Sequence, residues 1–432
     1  MLNLPEKLAM LEKKDEIIRV AVVGVGRMGA GVATLISRMK GMDVVAVADI
    51  DRERATGLFE EIGIPQKDIF LSDDPYECSR ALDKGMRVVT TRANVLPHTS
   101  FIDVIVEATG VPSVGAEVAF ESIREKKHIV MMNVETDVTV GPILAELSKA
   151  CGVVYTVGAG DEPAAIKELY DFATSLEFKV VAAGKGKNNP LNKEATPDSL
   201  KEIALKKGVN PKMLTEFVDG SKTMIEMTAV ANATGLFPDV RGMHGPRCEL
   251  RELTSVFSLK ERGGILNQEG VVDYALGKIA PGVFVIITTD NRRLIEDLEY
   301  LRMGEGPNYL LYRPYHLTSA EIPLSVARAA IYKEPTLICK GKPVAETITV
   351  AKRDLKAGKR IDGIGRFDIY GSIERASVAR RENLLPLGLA EGAVLKEDVK
   401  KGEYLTLSQV ELDEKSILVN LRRLQDKVLS PE

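Results

Sequence analysis

The sequence predicts an α/β protein whose first part is a doubly wound parallel sheet. Short runs rich in valine and isoleucine recur from Arg19 onward, and stretches of helical character separate them. A glycine-rich turn follows the first run. Strands that are apolar along their whole length are typical of a parallel sheet covered on both faces. Together these observations predict a dinucleotide-binding type of architecture.

The predicted elements alternate in the order that such a sheet requires. Strands are predicted at RVAVVG, MDVVAVAD, DVIVEATG, HIVMMN and GVVYTVG, and helices over 27–39, 112–126 and 142–150. The segment 72–100 interrupts this alternation. We interpret it as an insertion to which the sequence assigns no role.

A second α/β domain and a small β domain are predicted to follow. After Gly158 a helix begins at GDEP, KVVAAGKGK reads as a strand entering a loop, and a long helix ends at Gly235. The segment 351–361 (AKRDLKAGKRI) matches 395–405 (LKEDVKKGEYL), and such a repeat predicts a pseudo-symmetric β element. The predicted domains are 1–158, 159–342 and 343–432.

Composition excludes several classes of protein. The net charge is −4, so there is no basic surplus for a nucleic-acid partner. No apolar run is long enough for a membrane span, and the charged N-terminus is unlike a signal peptide. The four cysteines lie far apart, which favours free thiols in a reducing compartment. We expect a cytoplasmic homo-oligomer with no nucleic-acid or membrane partner.

The glycine-rich turn has the spacing of a dinucleotide-binding motif of the Rossmann type. Gly24, Gly26 and Gly29 form GxGxxG between a predicted strand and helix, and Asp49 follows at the end of the next strand. Gly24 permits the tight turn, Gly26 permits approach of the pyrophosphate, and Gly29 permits close packing of helix and strand. The helix N-terminus favours phosphate binding.

Further residues at the ends of the strands complete the predicted nucleotide site. Its members are Gly24, Gly26, Arg27, Met28, Gly29, Asp49, Arg52, Ala108, Thr109, Gly110 and Asn133. Asp49 favours NAD because a carboxylate binds ribose hydroxyls and repels a 2′-phosphate. Arg27 and Arg52 could instead bind that phosphate, so NADP stays open.

Candidates for the chemical step cluster in the second domain. Hydride transfer needs a polar group that moves a proton or stabilises an alkoxide. The residues of this kind are Asp161, Glu162, Lys185, Lys187, Lys222 and Glu226. Two plainer interpretations remain open: Asp161 and Glu162 form a helix-opening acidic turn, and Lys222 and Glu226 form an ordinary helical ion pair.

Several stretches resemble the homoserine dehydrogenase-like family, in the branch that carries a C-terminal SAF domain of the β-clip fold. The resemblance is carried by RVAVVGVGRMG, VEATG, KHIVMMNVETDVTVGP, VVYTVGAGDEPAAIKEL, FVDGSKTMIEMTAVANATGL and the duplicated DLKAG and DVKKG turns. This branch is similar to the 1-deoxy-D-xylulose 5-phosphate (DXP) reductoisomerase-like enzymes. Homoserine dehydrogenases place a catalytic lysine after the asparagine equivalent to Asn133, and here Val134 stands there.

The resemblance implies an NAD(P)-dependent rearrangement and reduction of a ketose phosphate to 2-C-methyl-D-erythritol 4-phosphate, a step of isoprenoid biosynthesis. It also implies Mg²⁺ or Mn²⁺, for which Asp161, Glu162 and Glu226 are the candidate ligands, with the lysines binding phosphate or protonating an alkoxide. Alternative substrates are a branched polyol or sugar acid, and homoserine. A non-catalytic dinucleotide sensor or scaffold is the alternative outside enzymes.

Overall fold

A computed structural model describes residues 3–429. Its strands are β1 (Ile18–Val23), β2 (Met42–Ala48), β3 (Ile69–Leu71), β4 (Arg87–Thr90), β5 (Val104–Glu107), β6 (His128–Met131), β7 (Tyr155–Val157), β8 (Lys179–Lys187), β9 (Phe237–Pro238), β10 (Val271–Leu276), β11 (Val283–Thr288), β12 (Asn308–Arg313), β13 (Ala345–Ala351), β14 (Ile369–Arg375), β15 (Val394–Leu395) and β16 (Val410–Glu411). Its α-helices are α1 (Leu4–Lys13), α2 (Arg27–Ile36), α3 (Arg52–Glu61), α4 (Pro75–Asp83), α5 (Val95–His98), α6 (Pro112–Arg124), α7 (Val134–Cys151), α8 (Glu162–Ser175), α9 (Lys201–Lys207), α10 (Pro211–Asp219), α11 (Ser221–Thr234), α12 (Leu253–Val256), α13 (Arg292–Tyr300), α14 (Ile322–Ala327), α15 (Ala376–Arg381) and α16 (Ile417–Leu429).

The chain forms two compact units. The first contains Met1–Asp161, Leu317–Ile338 and Asn420–Glu432, and the second contains Glu162–His316 and Cys339–Val419. The predicted division at 158 and 342 stays a prediction. Within residues 3–429, no helix is both long and apolar enough to cross a membrane.

The first unit is built on the predicted parallel sheet. Seven strands lie in the order β3-β4-β2-β1-β5-β6-β7, and every neighbouring pair is parallel. The strands at its centre are buried almost throughout, as expected for a sheet covered on both faces. The strand order reverses between β1 and β5, which is where ligands bind in such sheets.

Two predictions in this unit were wrong. The segment 72–100 is not an insertion, because it supplies α4, β4 and α5, and β4 lies between β2 and β3. The helix predicted over 142–150 begins at Val134 instead, and Pro142 lies inside it. Residues on all sides of its N-terminal half are buried, so the sequence lacks the one-sided apolar period that marks most helices.

The second unit contains a mixed sheet in the order β12-β11-β8-β10-β9. Strand β8 at its centre runs parallel to β10 and antiparallel to β11. The prediction of a loop carrying Lys185 and Lys187 was wrong, because both lysines lie within β8. The alternation of a strand explains GKGK: the lysines share one face, while Gly184 packs against Phe284 on the other.

The predicted repeat is visible in the backbone hydrogen bonds of the C-terminal segment. Leu355 and Val399 exchange N–H···O bonds of 2.8 and 2.9 Å. Asp398 accepts from the N–H of Ala357 at 3.0 Å, and Asp354 accepts from the N–H of Lys401 at 2.9 Å. These residues correspond in the two copies, so the segment has an internal twofold arrangement. The assignment to a SAF domain stays a prediction.

Candidate functional sites in the two units

The glycine turn of the first unit has the geometry that its spacing predicts. Gly24 has φ +90°, and a Cβ there would lie 2.9 Å from the backbone of Ala108. A Cβ on Gly29 would lie 1.9 Å from the carbonyl oxygen of Gly24, so only glycine lets α2 pack so closely. A Cβ on Gly26 would have nothing within 4 Å, which leaves the turn open to a ligand.

The N-terminus of α2 suits an anion. Gly26 is its N-cap, and among the described residues no side chain caps it; its first turn also contains no acidic residue. The free N–H groups and the helix dipole therefore favour a phosphate group. Arg27 and Met28 are exposed in this first turn. The residues of the turn thus fit a dinucleotide.

Asp49 lies beside the glycine turn. Its carboxylate accepts from the N–H of Val25 at 2.7 Å and from the N–H of Asp51 at 2.9 Å. The arginine that contacts it is Arg54, at 3.8 Å, which sequence reasoning missed. Arg52 is exposed at the first position of α3. Asp51 is the N-cap of α3, and Arg54 follows it by three residues. That spacing brings the arginine back to the start of the helix and could have identified Arg54 from the sequence.

Two further predicted residues lie in a polar network at the ends of β5 and β6. Asn133 is 1% exposed, accepts from the N–H of Thr136 at 3.1 Å and donates to the carbonyl of Val111 at 3.1 Å. Asn133 is therefore the N-cap of α7. Thr109 donates its N–H to Glu107 at 2.9 Å, and its hydroxyl also binds that carboxylate. Contact of Asn133 with nicotinamide stays a prediction.

The second unit holds a buried cluster of charged side chains. The ammonium group of Lys185 donates to the carboxylates of both Glu162 and Glu226. The side chains are 8%, 12% and 2% exposed respectively. Strand β8 supplies the lysine, α8 supplies Glu162 from its first turn, and α11 supplies Glu226. The three elements pack around one apolar core.

The two lysines of β8 differ in charge. Burial alone would lower the pKa of Lys185, but Glu162 and Glu226 outweigh it and raise that pKa above its ordinary value. Burial and, to a smaller extent, the neighbouring charge of Lys185 together lower the pKa of Lys187 to about 8. Lys187 donates to the carbonyl of Phe217. One lysine is thus held charged, and the other exchanges its proton near neutral pH.

His316 extends the cluster. Its Nδ1 lies 2.8 Å from the carbonyl oxygen of Pro281, which requires the proton on Nδ1. Its Nε2 lies 3.6 Å from a carboxylate oxygen of Glu162. Asp161 ends the first of the three chain segments that form the first unit, and Lys222 lies one turn before Glu226 on α11.

The donor set does not fit a metal between Glu162 and Glu226. The ammonium group of Lys185 binds both carboxylates, so a cation of the protein already neutralises them. We therefore derive no step through a metal. The metal ligands predicted from the sequence, Asp161, Glu162 and Glu226, stay a prediction.

Comparison with known proteins supports an oxidoreductase family. Residues 24–158 match the model of the homoserine dehydrogenase NAD-binding domain, and residues 160–322 match that of the catalytic domain of oxidoreductase DRL. The two matched segments follow one another along the chain, and one is similar to an NAD-binding domain and the other to an oxidoreductase catalytic domain. No curated protein sequence matches this chain significantly.

Solved structures of dehydrogenases are similar in outline. A probable dehydrogenase from Thermotoga maritima matches with a TM-score of 0.44 and 12% identity, over 74% of this chain and 91% of that one. Scyllo-inositol dehydrogenase from Lactobacillus casei, with NAD(H) and scyllo-inositol bound, matches with a TM-score of 0.38 and 10% identity, over 69% and 76%. At these values the likeness does not bear on substrate.

Proposed function

We propose that this protein is an NAD(P)-dependent oxidoreductase that acts at a carbonyl or hydroxyl carbon of a small polyhydroxylated substrate. The observation that carries the proposal is the buried Lys185 held between Glu162 and Glu226. It lies in the segment that matches an oxidoreductase catalytic domain. Structural ion networks also bury charge, but three charged groups buried around one strand are costly unless they have a task.

The nicotinamide nucleotide supplies the hydride when it is bound, and the protein supplies the proton and the charge. In the first unit, Gly24, Gly26 and the N-terminus of α2 hold the pyrophosphate. In the second unit, Lys185 donates two of its three N–H groups to Glu162 and Glu226, and the third can donate to the oxygen of the substrate as it becomes an alkoxide. Lys187 gives or takes the proton, because a group of pKa about 8 is populated in both forms near neutral pH.

The most specific form of the proposal is the DXP reductoisomerase-like reaction, which the sequence resemblance implies; the match over 160–322 supports an oxidoreductase catalytic domain without naming the substrate. The charge balance around Lys185 supports the other form, a dehydrogenase of a branched polyol or sugar acid. Two carboxylates already oppose the one ammonium group, so Lys185 has little charge left to attract a phosphate. A phosphorylated substrate would then depend on Lys187 or on Lys222.

The test is oxidation of NADH and NADPH by the purified protein with DXP and Mg²⁺ or Mn²⁺, followed by a panel of polyols and sugar acids. Turnover with DXP supports the most specific form, and turnover with a polyol alone supports the other. Binding of the nucleotide without turnover on any substrate would contradict the proposal in favour of a sensor. The preferred nucleotide would show whether Asp49 or the arginines dominate the ribose pocket.

A variant pair sharpens this test. Lys185→Gln should abolish turnover and leave the dissociation constant for the nucleotide unchanged. The matched control is Lys179→Gln on the same strand, since Lys179 is 65% exposed and pairs only at the surface with Asp290. Full activity in the Lys185 variant would overturn the assignment of Lys185.

A further inference from the structure

Glu107 is a buried acid at the edge of the sheet where the glycine turn lies. It ends β5, and its residue exposure is 0%. One carboxylate oxygen binds the N–H and the hydroxyl of Thr109. Among the described residues, the other oxygen has no hydrogen bond of good geometry, although the side-chain amide of Asn133 lies near enough to lower the pKa of the carboxyl. A buried carboxyl that lacks part of its hydrogen bonds costs folding free energy, so its presence in the folded protein needs an explanation.

The carboxyl is connected to the glycine turn through the loop 108–111. The hydroxyl of Thr109 accepts from the N–H of Val111 at 3.2 Å. The backbone of Ala108 lies so close to Gly24 that a Cβ on the glycine would approach it to 2.9 Å. Movement of Thr109 would therefore displace the segment against which the glycine turn packs.

Helix α6 closes this region from the other side. A Cβ on Gly115 would lie 3.1 Å from this second oxygen of Glu107 and 2.7 Å from the amide nitrogen of Asn133. The neighbours of Glu107 across the sheet are Val23 and Met131, which are apolar. These neighbours of the carboxyl are thus a glycine, an amide and two apolar side chains, none of which is charged.

The pKa of Glu107 lies near neutral pH, so both the charged and the neutral form are populated there. Burial raises its pKa to about 7, and the hydrogen bonds from Thr109 oppose this shift. Helix α7 brings the ionisable Glu135, whose negative charge makes a small contribution to the raised pKa. The other groups packed against the carboxyl, namely Thr109, Gly115 and Asn133, do not titrate.

We propose that Glu107 is a positioning residue for the nucleotide site, which holds the loop 108–111 against the glycine turn tightly when it is ionised and weakly when it is protonated. A hydrogen bond to a carboxylate is stronger than one to a neutral acid, so ionisation strengthens both bonds to Thr109. The inference rests on the proposed function, in which the glycine turn binds the nucleotide. It adds that affinity for the nucleotide rises with pH.

The test is a fluorescence titration of NADH into the wild type and Glu107→Gln at pH 6 and pH 8. We expect the wild type to bind roughly fivefold more tightly at pH 8, the factor for one hydrogen bond that doubles in strength. Glu107→Gln should bind equally at both values of pH. The control is Asp137→Asn: burial also raises the pKa of Asp137 to about 7, but Asp137 bonds to Tyr155 instead of the loop.

A second readout needs no nucleotide. Amide hydrogen exchange at Thr109 and Val111, corrected for the intrinsic effect of pH, should slow at pH 8 in the wild type and not in Glu107→Gln. Wild-type binding with no pH dependence, or a pH dependence retained in Glu107→Gln, overturns only this inference. Failure of both NADH and NADPH to bind at either pH overturns the proposed function together with it.

Discussion

Both units bury glutamate side chains beside a strand of their main sheet, but they balance the charge in opposite ways. In the first unit, Glu107 accepts hydrogen bonds from Thr109, no cation contacts it among residues 3–429, and burial raises its pKa to about 7. In the second unit, Glu162 and Glu226 enclose Lys185 and raise its pKa above the ordinary value. One site exchanges a proton near neutrality, whereas the other keeps a fixed charge.

The difference teaches that burial alone does not set the charge of an acid. Removing a carboxylate from water favours its neutral form, and an ammonium group at hydrogen-bond distance reverses that preference. A site that must keep a constant field needs the paired arrangement. A site that responds to pH needs a carboxyl without a paired cation.

The largest effect is expected for Lys185→Met. The change leaves two glutamates enclosed without their cation, and breaking a buried ion pair costs roughly 3–5 kcal/mol of unfolding free energy. Urea unfolding measures this cost. Adding Glu226→Gln to the same chain should recover part of it, since one uncompensated charge is then removed. No recovery in the double variant would contradict the pairing.

The next effect concerns the pH dependence of stability. Because the pKa of Glu107 is raised in the folded state, the folded protein binds more protons than the unfolded chain between pH 4.5 and about 7. The contribution of Glu107 is therefore full below pH 4.5 and falls as pH rises to about 7, by roughly 3 kcal/mol.

Urea unfolding of the wild type and Glu107→Gln at pH 4.5 and pH 8 measures this contribution as a difference. The variant should lose less stability than the wild type between the two values. The same comparison with Asp137→Asn should also show a smaller loss, since that acid titrates near pH 7 as well. Equal losses in wild type and Glu107→Gln would contradict the shifted pKa.

A pair of glycine variants separates folding from binding in the first unit. Gly29→Ala places a Cβ against the carbonyl of Gly24, so we expect a loss of roughly 1–3 kcal/mol of stability, as in other overpacked sites. Gly26→Ala has open space and should fold like the wild type, while its affinity for NADH falls. Equal stability of the two variants would show that the close approach of α2 is unimportant.

The smallest effect is expected where carboxylates are exposed. Asp354 and Asp398 are 63% and 49% exposed and make matching contacts in the two copies of the repeat. Asp354→Ala and Asp398→Ala should each lower the unfolding temperature only slightly, and by similar amounts, because solvent screens exposed ion pairs. Thermal unfolding compares them directly. A large cost for only one would contradict the twofold arrangement of their hydrogen bonds.

Features that depend on short-range spacing could be predicted from the sequence. The positions of Gly24, Gly26 and Gly29 predict the turn because each glycine meets a local steric need. The repeat was detectable for the same reason, since matching turns produce matching backbone bonds. The thiols are free as expected, because among the described residues the four cysteines form no disulfide.

Features that depend on distant partners could not be predicted. GKGK was interpreted as a loop because glycine and lysine are common in turns, yet Glu162 and Glu226 make Lys185 tolerable inside a strand. The predicted site includes Ala108, Thr109 and Gly110 of VEATG but not Glu107. An acid at the end of an apolar strand is unusual and could have indicated a functional residue. Its role follows from Thr109 and Gly115, which only the folded structure places beside it.

The most direct test of the contrast between the two units is a titration by NMR of protein labelled in the side chains of glutamate and lysine. Glu107→Gln and Lys185→Gln assign the two signals. The account predicts that Glu107 titrates near pH 7, while Lys185 stays charged to at least pH 10. Titration of Glu107 with the ordinary glutamate pKa of 4.5, or loss of the Lys185 proton below pH 10, would contradict the account.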